Sequence, residues 1–410
     1  MSGTRQGWIN VASLFIILVI LFGGGFLTFG VFFDPLLRQF HTSHALTAAL
    51  LTSFFVTMAL SEPLVGWLLE RIEARFTITA GAVIAVIAYV MASRADSYAL
   101  MLGAYLLLGV GIGFSIFVPV SVVVPDWFGE RRGLAYGITI SGAALGGVAM
   151  PELASHMITA YGWRAAYLSL ALPALVIAIP LALIFVRNRP SRGRHHGNER
   201  APGLETRAAL TSATVWLIIA GYFLYAFTVS IALAHLIPYL IGAGFTPHNA
   251  ASIFGIMQAV AVIGCIVMGV IGDWISARAA IIFTMLLLLV SYLALLGVHH
   301  TALLALFIIA FGFNVAAPTA LFMMLLAEAI GLRNYAFISG IATFALTMGD
   351  ASGPLAAGRI FDVSGGYAWA LAMGAGVALL AAIIAAVLPR LEFAAANKSG
   401  EPVFGREIEA

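Results

Sequence analysis

Cysteine is nearly absent: the 410 residues hold one, Cys265. A lone thiol excludes an intrachain disulfide, a Cys-based zinc site and a thiolate-held iron–sulfur cluster. Charge is scarce as well, at 9% of residues where a soluble domain carries roughly 25%. The chain therefore has little with which to wet a surface. Lysine is reduced to Lys398, and the other basic residues are arginines. The formal net charge of +2 is too small for a nucleic-acid binder. Period-two alternation is also lacking, which sets aside a transmembrane β-barrel. The sequence carries no hydrolytic triad, Walker loop or redox ligand set. Gly109-Val-Gly-Ile-Gly113 has neither the preceding strand nor the spacing of a dinucleotide loop.

What the chain has in quantity is apolar residues, 62% of the total. They fall in blocks of about 20, long enough to cross a hydrocarbon core of roughly 30 Å. Twelve such spans run near 10–33, 45–69, 77–93, 97–124, 134–159, 164–187, 214–241, 249–272, 279–297, 301–327, 335–358 and 367–388. Lipid offers the backbone no hydrogen-bond partner, so each is expected to be a helix. The first block is longer than a signal-peptide core and lacks a small-residue cleavage site, so it is read as retained. With both termini in the cytoplasm, sixteen basic residues lie inside and four (Arg38, Arg94, Arg164 and Arg359) outside. That asymmetry is the one cytoplasmic loops show. The longest polar break, rich in Pro, Gly and Arg, reads as a mobile linker. The expected organisation is an N-terminal six-helix bundle over 1–189, a cytoplasmic linker over 190–213, a C-terminal six-helix bundle over 214–390 and a cytoplasmic tail over 391–410.

The halves repeat. A shift of 203 positions places Pro35 on Pro238, Gly66 on Gly269, Glu70 on Asp273 and Arg75 on Arg278. Parallel six-helix repeats describe an all-α membrane protein of the major facilitator architecture, with twelve transmembrane helices in two pseudo-symmetric bundles. There the solute sits near mid-membrane between rocking halves. The segment Gly66-Trp-Leu-Leu-Glu70-Arg71-Ile-Glu73-Ala-Arg75 resembles the loop signature of that superfamily. Gly66 would let two helices approach closely, and Glu70 could hold a neighbouring helix terminus or an Arg. A charged latch built from Gly66, Glu70, Arg71, Arg75, Gly269, Asp273 and Arg278 is expected at the cytoplasmic gate. An ordinary positive-inside loop is the plainer reading.

Longer stretches resemble the monocarboxylate transporter family within that superfamily. They are Gly30-Val-Phe-Phe-Asp-Pro-Leu-Leu after span 1, Asp126-Trp-Phe-Gly-Glu-Arg-Arg-Gly-Leu-Ala-Tyr-Gly between spans 4 and 5, Tyr161-Gly-Trp-Arg-Ala-Ala-Tyr opening span 6, His235-Leu-Ile-Pro-Tyr ending span 7, and Ser352-Gly-Pro-Leu-Ala-Ala-Gly-Arg-Ile-Phe-Asp ending span 11. The resemblance implies transport of small organic acids, often with protons. Family members carry an acid and an Arg one turn apart in the eighth helix and a basic residue in the first. The matching positions fall near Ala261, Cys265 and Leu27, all uncharged. No Arg or Lys lies deep within any span, so an anionic solute meets no obvious counter-ion.

An ionisable side chain at the bilayer centre costs about 3 kcal/mol on insertion scales. Three acids incur that cost: Glu62 in span 2, Glu152 in span 5 and Asp350 in span 11. Glu152 and His156 are four residues apart and so share a helix face, where a carboxyl and an imidazole could hold or pass a proton. A wet vestibule or a bond to a neighbouring helix would explain them equally. Glu62 and Asp350 could instead be packing hydrogen bonds. Tyr222, Tyr225, Gln258 and Asn314 are uncharged candidates for solute binding, since the helices that carry them line the central cavity in the family. His235 reads as a binder or an interfacial residue. Scattered His41, His44, His299 and His300 do not form a metal site. The leading expectation is a proton-coupled secondary transporter of a small carboxylate, without cofactor and working as a monomer. Its Arg-heavy usage and compact loops point to a bacterial inner membrane. An efflux antiporter for apolar or cationic solutes is the first alternative, and a non-transporting sensor on the same fold the second.

Overall fold

The computed structural model describes residues 2–128, 131–189, 203–315, 317–331 and 334–388. Their long helices are α1 (Arg5–Phe40), α2 (His44–Leu69), α3 (Ala74–Ser93), α4 (Tyr98–Trp127), α5 (Arg132–Tyr161) and α6 (Trp163–Phe185). After the linker come α7 (Ala213–Gly242), α8 (Pro247–Trp274), α9 (Ala277–Leu295), α10 (Thr301–Ile330), α11 (Tyr335–Ser364) and α12 (Ala368–Val387). All but α11 carry a stretch long and apolar enough to cross a membrane. α11 is a continuous helix of 30 residues that also holds Asp350, Arg359 and Asp362. The chain is a multi-pass integral membrane protein.

Helix ends follow packing more than hydropathy. The stretch from Gly30 to Leu37, expected to follow the first helix, continues it to Phe40. Phe32 and Leu36, one turn apart, are both fully buried there, so the helix is held beyond its most apolar run. α1 passes through a π-helical turn at Gly23–Leu27, and α10 is interrupted between Gly312 and Ala317. Gly312 and Pro318 flank that second interruption, and both residue types weaken a helix ladder.

Two lobes result. In the first, α1 packs on α5, and α4 lies between α2 and α3. In the second, α7 packs on α11, and α12 lies between α7 and α9. Two helix crossings join them: α2 on α11, and α5 on α8. Asn10 near the chain start bonds both ways with Arg187 just past α6, accepting from its N–H at 3.0 Å and donating to its carbonyl at 2.9 Å. The chain start and the linker thus share one membrane face, called the terminal face below. Part of the stretch read as linker is folded. Leu204 donates its N–H to the Ile330 carbonyl at 2.8 Å and accepts from Asn334 Nδ2 at 2.9 Å, and a short helix, Thr206–Thr211, follows. The rest of the linker, the tail over 391–410 and Arg333 lie outside the described residues.

Candidate transport site between the lobes

Both crossings are places where backbone meets backbone. Gly66 in the last turn of α2 lies against the Ala336 carbonyl in the first turn of α11. A Cβ at Gly340 would stand 2.6 Å from the Glu62 carbonyl oxygen. In the other crossing Gly137 of α5 lies against the Cys265 carbonyl of α8, and Gly269 against the Gly133 carbonyl. Any side chain at these glycines would force the helices apart, so the crossings depend on their absence. Because the residues involved sit in the terminal halves of their helices, the lobes are closed together on that face.

At the rim of the first crossing Glu70 Oε1 accepts the N–H of Phe337 at 3.3 Å. The acceptor belongs to one lobe and the donor is an unpaired amide in the first turn of α11, the positive end of a helix. The arginines of the expected latch do not cross over. Arg71 folds back on Trp67, donating to its carbonyl at 3.0 Å with its guanidinium 3.7 Å from the ring centroid. Arg75 sits 2.9 Å from Glu73, though not at a hydrogen-bonding angle. Arg278 donates to the Ala385 carbonyl at 3.1 Å and to that of Ala386, capping α12 inside its own lobe. The side chain of Asp273 lies outside the described residues.

One turn inward from Gly66, the side chain of Glu62 is wholly buried. Both of its oxygens lie 3.0 Å from Thr347 Oγ1 of α11. Asp350, one turn further along α11, is half-buried and close enough for its charge to act on Glu62. Tyr222 and Tyr225 of α7 stack beside them, their rings 6.3 Å apart, with Phe322 of α10 5.0 Å from Tyr222. The Tyr225 hydroxyl lies 2.9 Å from the carbonyls of both Asn314 and Val315, the groups freed by the interruption of α10. Asn314 donates Nδ2 to the Ala310 carbonyl at 2.8 Å, while its Oδ1 is buried and unpartnered. The hydroxyls of Tyr222 and of Tyr136 on α5 are likewise buried without a partner, as is Gln258 Oε1 of α8. Buried polar atoms are nearly always bonded, so a run of unpartnered ones where two lobes meet marks a place for a guest molecule or water.

The remaining candidates make no hydrogen bond or ion pair with that group among the described residues. Gly147 of α5 faces Leu27 and Gln258, and Glu152, five residues on, points about 140° away around the helix. It shares an exposed stripe with Leu145, 41% exposed, and Val148, 52% exposed. His156 stands on the same stripe, and no ion pair joins it to Glu152 among the described residues. His235 lies towards the far face, where its ring nitrogens meet the Tyr367 hydroxyl at 3.2 Å and the Pro354 carbonyl at 3.0 Å, fastening α7 to α11. Sequence reasoning missed Thr347, Tyr136 and the glycines Gly133, Gly137 and Gly340. The last two were within reach, because the same shift of 203 positions relates them.

The family model for the Major Facilitator Superfamily matches residues 14–354. The chain belongs to the Major Facilitator Superfamily. An uncharacterized MFS-type transporter, YcxA, of Bacillus subtilis (strain 168) is 25% identical over 83% of the chain and 85% of that protein. Monocarboxylate transporter 13 of Bos taurus is also 25% identical, over 88% of the chain and 84% of its own length. Among solved structures, that of the E. coli fucose:proton symporter FucP superimposes with a TM-score of 0.69 at 15% identity, covering 93% of the chain and all of the FucP chain. That likeness is one of fold. Within a superfamily of transporters, two lobes closed on one face over unpartnered polar groups are the parts that alternating access requires.

Proposed function

We propose that the chain is a secondary active transporter of small organic acids, monocarboxylates above all, which carries its solute with protons by alternating access. The carrying observation is the group between the lobes: Glu62 with Thr347 and Asp350, the unpartnered Tyr222 hydroxyl beside them, and the unpartnered oxygens of Asn314 on α10 and Gln258 on α8. Hydroxyl and amide groups there supply hydrogen bonds for a small polar solute. Among the described residues the site holds acids and no base, so a carboxylate entering with its charge uncompensated would be repelled. Co-binding of a proton removes that repulsion, which is the physical reason for coupling. The likeness to monocarboxylate transporters 13 and 12 supports the solute class. The terminal face is assigned to the cytoplasm from the distribution of arginine, and the membrane to the bacterial inner membrane. The working unit is taken as a monomer.

Purified protein in liposomes, given a panel of labelled carboxylates, tests this directly. Accumulation should follow an imposed pH gradient and collapse when the gradient is dissipated. Uptake indifferent to the gradient would remove the proton from the account. One observation favours a second reading: acids without bases also suit a cationic solute, as in an efflux antiporter. Thermal shift against a panel separates the two, because acids stabilise the protein in the first case and lipophilic cations in the second.

A further inference from the structure

The two lobe crossings are copies of one another in their backbone contacts and differ most in the side chains that face each other across them. The shift of 203 positions carries Glu62 to Cys265, Gly66 to Gly269, Gly133 to Ala336 and Gly137 to Gly340. The contacts follow it. Gly66 on the Ala336 carbonyl matches Gly269 on the Gly133 carbonyl, and Gly340 on the Glu62 carbonyl matches Gly137 on the Cys265 carbonyl. The same shift relates Thr347 to Ala144. One crossing is therefore built around a carboxyl and a hydroxyl, the other around a thiol and a methyl.

Both Glu62 and Cys265 are buried, at 0% and 1% exposure. The second crossing demonstrates that this backbone geometry closes with no carboxyl at all, so packing does not explain Glu62. The only side-chain donor on it among the described residues is the Thr347 hydroxyl, whose single proton is shared between two oxygens at equal distance. The titratable groups facing it are Asp350 from α11 and Tyr222 from α7, with Tyr136 of α5 next to Tyr222. On α2 itself Glu70 lies two turns away and is turned to Phe337. None of these is a base.

We propose that Glu62 is the proton-binding site of this transporter, and that protonation there holds the lobes closed on the terminal face. The proposal rests on the proton-coupled reading above. A proton from water adds to one carboxylate oxygen. That oxygen then becomes a donor while the other accepts the Thr347 hydroxyl, so both hydrogen bonds across the crossing are satisfied. When the terminal face opens, water reaches Glu62, the proton leaves to that side, and the carboxylate is left hydrated. No other bond is made or broken.

Cys265 supplies a reporter in the native chain. It is the sole thiol and lies in the crossing without the carboxyl, so a maleimide reaches it only when the lobes part. Below the thiol's own pKa, labelling rises about tenfold per pH unit from thiolate chemistry alone. A proton released on opening adds up to about another tenfold per unit. The expected result is a steeper pH dependence in the wild-type protein than in Glu62→Gln, with the variant keeping only the thiolate slope. Equal slopes would overturn the proposal. So would a steep slope that survives Glu62→Gln and disappears in Asp350→Asn, since it would put the proton on the other acid. Thr347→Val covers the case in which Glu62→Gln does not fold: it should label faster at every pH, whereas Thr347→Ser should behave as wild type. An unchanged rate in Thr347→Val would contradict the crossing's role. No solute enters these measurements, so the solute assignment stands or falls separately on the liposome panel.

Discussion

At the scale of single residues, closure of the lobes turns on what replaces a hydrogen. A valine at Gly340 would push against the Glu62 backbone, where even a Cβ stands 2.6 Å from the carbonyl oxygen. Overpacking of this kind costs about 1–3 kcal/mol, here charged only to the closed conformation. Gly340→Val should therefore be made and inserted normally, yet label faster at Cys265 and transport poorly. Glu152→Gln should transport at the parent rate, because the proton is assigned to Glu62 and no hydrogen bond or ion pair engages Glu152 among the described residues. Uptake of the accumulated solute into liposomes checks both. Glu62 was legible in the sequence because an acid in an apolar span is conspicuous. Its partner Thr347 was not, since hydroxyl residues are common in these spans and bond their own helices. The Glu152–His156 spacing was legible, but which way it points was not. Lipid tails are as apolar as a protein core, so a membrane helix has no polar stripe to tell inside from outside.

At the scale of helices, the interruption of α10 is held by α7. The Tyr225 hydroxyl is the shared donor to the carbonyls of Asn314 and Val315. Tyr225→Phe leaves those groups without it in a buried place, a loss of about 1–3 kcal/mol. Its melting temperature should fall while Tyr367→Phe, at the half-exposed end of the same lobe, falls less. Differential scanning fluorimetry of the purified variants measures this. Gly312 and Pro318 are the sequence signal for the interruption, because both weaken a helix ladder. What they did not announce was the tyrosine on another helix that satisfies it. Helix ends were the poorest guide: hydropathy stops near Phe33, whereas burial of Phe32 and Leu36 carries α1 on to Phe40.

At the scale of the whole molecule, duplication was readable from four residues in register and proves to run through the lobe interface as well, pairing each contact of one crossing with a contact of the other. The difference between the crossings could not be read without knowing that Thr347 faces Glu62. If closure on the terminal face is one half of the transport cycle, holding it shut must stop transport. Glu70 and Phe337 meet across that face. A protein carrying Glu70→Cys and Phe337→Cys in a Cys265→Ser background can be joined there by a short bifunctional maleimide. Solute accumulation under a pH gradient should persist in the unlinked protein and cease in the linked one. Continued accumulation at the unlinked rate after complete linkage would contradict the account.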